Sequence, residues 1–296
     1  MGTSELERAR AVTPGVPDRV LVERLVEQLG LILELQPPTD LHRAASYQGI
    51  QDIQVTEMDW AGMLAPANDG GFIIRVRGGD PPHRRNFTIG HEITHTLLPG
   101  YAVIQHRCGG RATTNLLANR HLENLADVGA AEFLLPKRFL QPIFKDMRFD
   151  LADIKRIADT HHASLDATLR RFLALTTRSA IVIDLRQVRM PDGSTIASVH
   201  RVFSNSEWCP VAPSQLQGTT VPPAHPINDV FGSSAVSDVA ELSFLPITTP
   251  VAYISSMFDP YTDNEGRIVM RSLVLATPRR VLPVHAVDRG RLPAAG

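Results

Sequence analysis

Cysteine is nearly absent: Cys108 and Cys209 are the 2 present, far apart and outside any CxxC spacing. That excludes a disulfide framework and a cysteine-built zinc site, and leaves reduced thiols as the expectation. An excess of charge of one sign is missing as well. With a formal net charge of -1, attraction to nucleic acid or to an anionic membrane has to come from a local patch. No stretch approaches the roughly 18 consecutive apolar residues of a membrane-spanning helix. Residues 1–30 carry Glu5, Glu7, Glu23 and Glu27 and no uninterrupted apolar run, so no secretory leader is expected there. The expectation is a cytoplasmic protein with no membrane partner.

What is present is a chain of 296 residues, 43% hydrophobic, an ordinary share for a soluble protein and length enough for two or three domains. Its most informative stretch is Phe87-Thr88-Ile89-Gly90-His91-Glu92-Ile93-Thr94-His95-Thr96-Leu97-Leu98, a His-Glu-x-x-His pattern inside an apolar-periodic segment. On a helix His91 and His95 share one face, one turn apart, and two neutral imidazoles so placed can hold a divalent metal. Glu92, beside the first ligand, is then within reach of a water on that metal. Chance produces this pattern in about one chain in a hundred of this kind, but the context argues for more. Asp69-Gly70-Gly71 reads as a turn, 72–77 as a β-strand and 78–82 as a loop, and a zinc peptidase needs a strand and loop ahead of its histidine helix.

Catalytic zinc usually takes three protein ligands and keeps one position open. The third is sought in 121–136, an Ala- and Leu-rich segment stopped by Pro136 and so read as a helix. Glu123 and Asp127 lie one turn apart on it. His121 lies about 200° round the helix from Glu123, so the two cannot both face the metal. We favour Glu123, because Asp127 then falls where a carboxylate can hydrogen-bond the free ring nitrogen of a ligating histidine. This Glu-x-x-x-Asp spacing is similar to the glutamate helix of the thermolysin-like, or gluzincin, peptidases. Tyr101, His106 and His121 are each able to donate to a tetrahedral intermediate, and nothing in the sequence chooses among them.

The two segments, 85–95 and 123–136, resemble the ImmA/IrrE metallopeptidase family, with both motifs in the family's order. The resemblance implies His91, His95 and Glu123 as ligands of Zn²⁺, or of Mn²⁺, which the ligand set also suits, and Glu92 as general base. It also implies a protein substrate, a helix-turn-helix transcriptional repressor whose cleavage switches on a DNA-damage response.

Before the metal motif, Leu21, Val22, Leu25, Val26 and Leu29 recur at helical spacing and Pro37-Pro38 closes that element. Residues 101–119, with Gly109-Gly110, read as a loop beside the cleft. Beyond Pro136 come short amphipathic helices over 137–145, 150–159 (Asp150 as N-cap) and 164–173 (Ser164 as N-cap), the last two across a four-residue turn like a helix-turn-helix. His161-His162 in that turn read as solvated. Over 137–176 there are eight basic and five acidic side chains, and the third helix offers Asp166, Thr168, Arg170 and Arg171, a thin set for DNA contacts.

From 177 the texture is β, with strands near 179–185, 197–203, 251–254 and 268–275, hairpin turns at Asp192-Gly193 and at Asn264-Glu265-Gly266, and a short helix from Ile227. Ala224-His225-Pro226, Phe244-Leu245-Pro246-Ile247, Val251-Ala252-Tyr253 and 272–278 resemble pieces of the GAF-like domain found in the same family, which would bind a small molecule. The expected fold class is α+β and multidomain: a gluzincin-like metallopeptidase domain over 1–136, a helix-turn-helix segment over 137–176, a GAF-like α/β sensor over 177–280 and a flexible tail over 281–296. The rival reading is a regulator that binds DNA and a ligand around a structural metal.

Overall fold

The computed structural model describes residues 3–68, 70–100, 106–108, 116–147, 149–191, 193–232, 236–262 and 266–279. The chain forms two compact units, Met1–Thr177 and Arg178–Gly296, of mixed α and β structure. The expected tail over 281–296 lies outside the described residues.

The first unit opens with α1 (Glu5–Val12), started by a reciprocal cap in which Ser4 accepts from Glu7 N and Glu7 accepts from Ser4 N. Leu6 of α1 is buried with Leu21 and Val22 of α2 (Asp18–Ile32). Next comes α3 (Leu41–Tyr47), capped by Asp40. The sheet that follows has β1 (Ile50–Thr56), β2 (Gly62–Pro66), β3 (Phe72–Arg77) and β4 (His106–Cys108) in the order β1-β3-β2-β4. Only the β1/β3 pair is parallel. Between β3 and β4 runs α4 (Pro82–His95), whose proline at the first turn costs no hydrogen bond. The long helix α5 (Leu116–Leu134) packs beside α4 and α2.

Several elements of the first unit depart from the sequence reading. The segment expected to be a loop over 101–119 contains β4, a sheet edge, and α5 already begins at Leu116. The strand β2 and the helix α3 were not anticipated, because Trp60-Ala61-Gly62 and a seven-residue helix between two prolines and a glycine carry little periodicity.

After α5 come α6 (Lys137–Asp146), α7 (Leu151–Thr160) and α8 (Leu165–Leu175), the last two capped by Asp150 and Ser164 as expected. They belong to the first unit. His161 in the turn is not solvated: it is buried, its Nδ1 donating to Leu134 O of α5 at 2.9 Å, and burial pushes its pKa down. His162 O accepts from Asn86 of α4 at 3.3 Å.

Of the side chains on α8 considered for DNA contact, Thr168 and Arg171 are buried. Arg171 pairs with buried Glu132 of α5, donates to Leu135 O at 3.0 Å and to Glu23 of α2 at 3.2 Å. Removing one partner of such a buried pair strands the other, so Arg171→Ala should lower the unfolding free energy by about 3–5 kcal/mol. Exposed Arg170→Ala should change it by about 0.5 kcal/mol or less, both read by denaturant unfolding.

The second unit is an antiparallel sheet of β5 (Ile181–Arg189), β6 (Thr195–Ser204), β7 (Val236–Glu241), β8 (Val251–Phe258) and β11 (Arg271–Pro278), ordered β6-β5-β11-β8-β7. A two-stranded ribbon, β9 (Tyr261–Thr262) and β10 (Ile268–Val269), lies between β8 and β11 in sequence. Alternation puts Ile183, Leu185, Val199, Ile254 and Val274 on one face, in a core completed by Trp208, whose Nε1 donates to Thr249 O at 3.0 Å. Gly193, at φ 83, turns the β5/β6 hairpin. A 3-10 turn over Pro226–Gly232 stands where a short helix was expected. In the second turn, Asn264 and Glu265 lie outside the described residues.

Candidate metal centre

Helix α4 carries His91 and His95 one turn apart on a buried face, with their Nε2 atoms 3.1 Å from each other. Helix α5 brings Glu123 against both: Oε2 lies 3.2 Å from His91 Nε2 and Oε1 3.5 Å from His95 Nε2. One ligand atom from each of the three falls within 4.8 Å of the others. At a tetrahedral ion with bonds of about 2.0–2.1 Å the ligand atoms stand about 3.3–3.4 Å apart, close to the 3.1 Å between the histidine nitrogens, while each Glu123 oxygen approaches one of the two rings.

The protons agree. Asp127 Oδ1 lies 2.9 Å from His91 Nδ1, and a carboxylate there accepts the Nδ1 proton, which leaves the Nε2 lone pair facing the cluster. Burial alone would lower the pKa of His91. Hydrogen bonds to Asp127 and Glu123 and the charges of Glu92 and Asp127 outweigh it and push the value up to about 9. These carboxylates favour positive charge at this point, and a divalent cation supplies it without protonating the ring. The residues therefore fit a metal.

Close helix packing sets this convergence, and glycine permits it. A Cβ on Gly129 of α5 would stand 2.3 Å from Thr94 Oγ1 of α4, and one on Gly90 would stand 3.3 Å from Ala130 Cα. On the sheet side, a Cβ on Gly62 of β2 would meet Thr88 Cγ2 at 2.3 Å and Glu92 Oε1 at 3.5 Å, so the buried Glu92 carboxylate lies beside that glycine. The signal for Gly90 and Gly129 is a glycine inside a helical pattern, which asks for a packing reason, whereas Gly62 lies in a strand the sequence reading does not contain.

Gly129→Ala gains about 1 kcal/mol of helix propensity. Thr94 is buried and donates to Gly90 O at 2.7 Å, so it cannot give way easily. The clash should win, with a net loss of about 1–2 kcal/mol in thermal unfolding and weaker metal retention as Glu123 moves off.

His121 turns to α2, where Nε2 lies 2.8 Å from Asp18 Oδ2. Arg10 foremost, with help from His121 and against burial, holds Asp18 at about 2. Tyr101 lies outside the described residues, as does the side chain of His106, whose backbone is in β4.

Residues 45–173 match the peptidase M78 family model, described as an IrrE N-terminal-like domain. This part of the chain is similar to that domain. The IrrE-like match takes in the whole His/His/Glu cluster and continues through α6 and α7 into α8. "Radiation response metalloprotease IrrE" of Deinococcus deserti is 26% identical over 204 residues, covering 64% of this chain and 67% of that protein. A solved structure titled "Mycobacterium tuberculosis transcriptional regulator" shares the fold, with a TM-score of 0.51 and 14% identity over 87% of this chain and 75% of the other. Among the described residues no helix is long and apolar enough to cross a membrane.

Proposed function

We propose that the chain is a metal-dependent endopeptidase. The observation that carries this is the meeting of His91, His95 and Glu123, with one ligand atom of each within 4.8 Å of the others, inside an IrrE-like domain. These three would hold Zn²⁺ or Mn²⁺, which supplies Lewis acidity at neutral pH. Glu92 takes the proton of the attacking water and passes it to the leaving amine. Asp127 fixes the His91 tautomer and ring direction.

The protein substrate we infer is a helix-turn-helix repressor, and cleavage would switch on a stress response of the kind named for the Deinococcus relative. In this reading the helical segment 137–176 braces the metal helices, and the second unit acts as a GAF-like sensor of a small molecule. The rival, a DNA-binding regulator around a structural metal, has less support. Two of the four side chains it would use on α8, Thr168 and Arg171, are buried in contacts of the first unit.

The test is metal analysis of the purified chain, followed by incubation with purified helix-turn-helix repressors of the same organism. Chelation should abolish cleavage, and adding back Zn²⁺ or Mn²⁺ should restore it. Cleavage that survives full removal of metal would overturn the proposal.

A further inference from the structure

The second unit places like charges opposite each other. Arg186 of β5 and Arg271 of β11 are direct cross-strand partners, an arrangement that repels unless something lies between. Tyr261 is between them, its ring 5.4 Å from the Arg186 guanidinium carbon and 5.0 Å from that of Arg271. Its hydroxyl accepts from Arg186 Nη2 at 2.7 Å. Arg201 of β6 joins from the next strand, bonded to buried Asp184 at 2.8 Å and 3.1 Å. Arg271 is held by Asp259.

The third guanidinium is held differently. Among the described residues, the carboxylate oxygen Arg186 reaches is Asp184 Oδ1, at 3.8 Å, too long for a hydrogen bond, and its buried Nε has no hydrogen-bond partner. His200 lies within electrostatic reach of the same group. Burial first, then Arg186, Arg201 and Arg271, push its pKa down against the pull of Asp184.

We propose that Arg186, with Arg271, Arg201 and His200 around it, binds the phosphate group of a small phosphate monoester. A dianion with three acceptor oxygens suits the partly exposed Arg186 fork, whose carboxylate neighbour is out of hydrogen-bond range, and its charge offsets that of the neighbouring guanidinium groups, which a neutral ligand cannot do. Val188, two residues from Arg186 on β5 and so on the same face, is 43% exposed and favours an apolar ester over bare phosphate.

Titration calorimetry on the full chain at low salt, with inorganic phosphate and with phenyl phosphate as probes, tests this. Saturable binding is expected, tighter for phenyl phosphate. Arg186→Gln should weaken it at least about tenfold, the scale of a lost charge-assisted hydrogen bond, while Arg189→Gln, the same charge change at an exposed residue of the same strand, should leave it unchanged. If Arg186→Gln fails to fold, Arg186→Lys keeps the charge and removes the fork, and it should still weaken binding. The proposal fails if the wild type shows no saturable binding, if the Arg186 variants bind like wild type, or if Arg189→Gln weakens binding as much as Arg186→Gln.

Discussion

Glu92→Gln is expected to retain metal and fold while peptide cleavage falls by at least about 10²-fold. The side chain is fully buried on α4, next in sequence to His91 but about 100° round the helix from it. It is therefore not one of the three groups whose ligand atoms converge. Glutamine keeps the size and helical fit of glutamate and removes the group that takes the proton. The fold should tolerate the change, because a neutral amide is less costly to bury than a carboxylate. Metal binding should weaken modestly, since the Glu92 charge is among those that favour a cation at His91. Zinc content, thermal melting and repressor cleavage measured on one preparation decide the matter. Retained cleavage with retained zinc would sink the general-base role of Glu92, and a structural metal site predicts no cleavage even by the wild type.

The parts of this site that were legible in the sequence depend on local geometry. His91 and His95 share a face because of the helical repeat alone; two residues of rotation keep Glu123 and His121 from both facing the metal, and Asp127 one turn on favours Glu123. In the structure Glu123 turns to α4 and His121 to α2. What could not be read depends on contacts between distant residues. Arg171 in a mildly basic amphipathic segment looks like a solvated or nucleic-acid-facing side chain. Only its meeting with Glu132, on another helix, turns it into a buried tie. His161 is buried for the same kind of reason, a carbonyl at the end of α5. The short elements β2 and α3 were missed because the sheet and helix they pack against hold them more than their own propensities do. The glycines that let α4 and α5 touch were visible, but which residue each would face was not.

Two substitutions on one turn of α5 should separate sharply. Glu123→Ala should lower metal affinity by more than about 100-fold, beyond the roughly 10–100-fold expected for Asp127→Ala, which removes only the partner that orients His91. Without Glu123 the two histidine Nε2 atoms have no third ligand from the described cluster, and a two-ligand site cannot hold the ion through purification. His121→Ala should leave metal stoichiometric. His121 is exposed, and the contact it loses is with Asp18, which Arg10 continues to hold through two hydrogen bonds of 2.7 Å and 2.8 Å. Because Arg10 is the leading cause of the low Asp18 pKa, that carboxylate stays ionised and the α1–α2 junction stays tied when His121 is gone. Metal content by mass spectrometry on the three variants should therefore rank Glu123→Ala below Asp127→Ala and both below His121→Ala. If His121→Ala loses metal and Glu123→Ala keeps it, the opposite face of α5 holds the ion and the proposed centre is wrong.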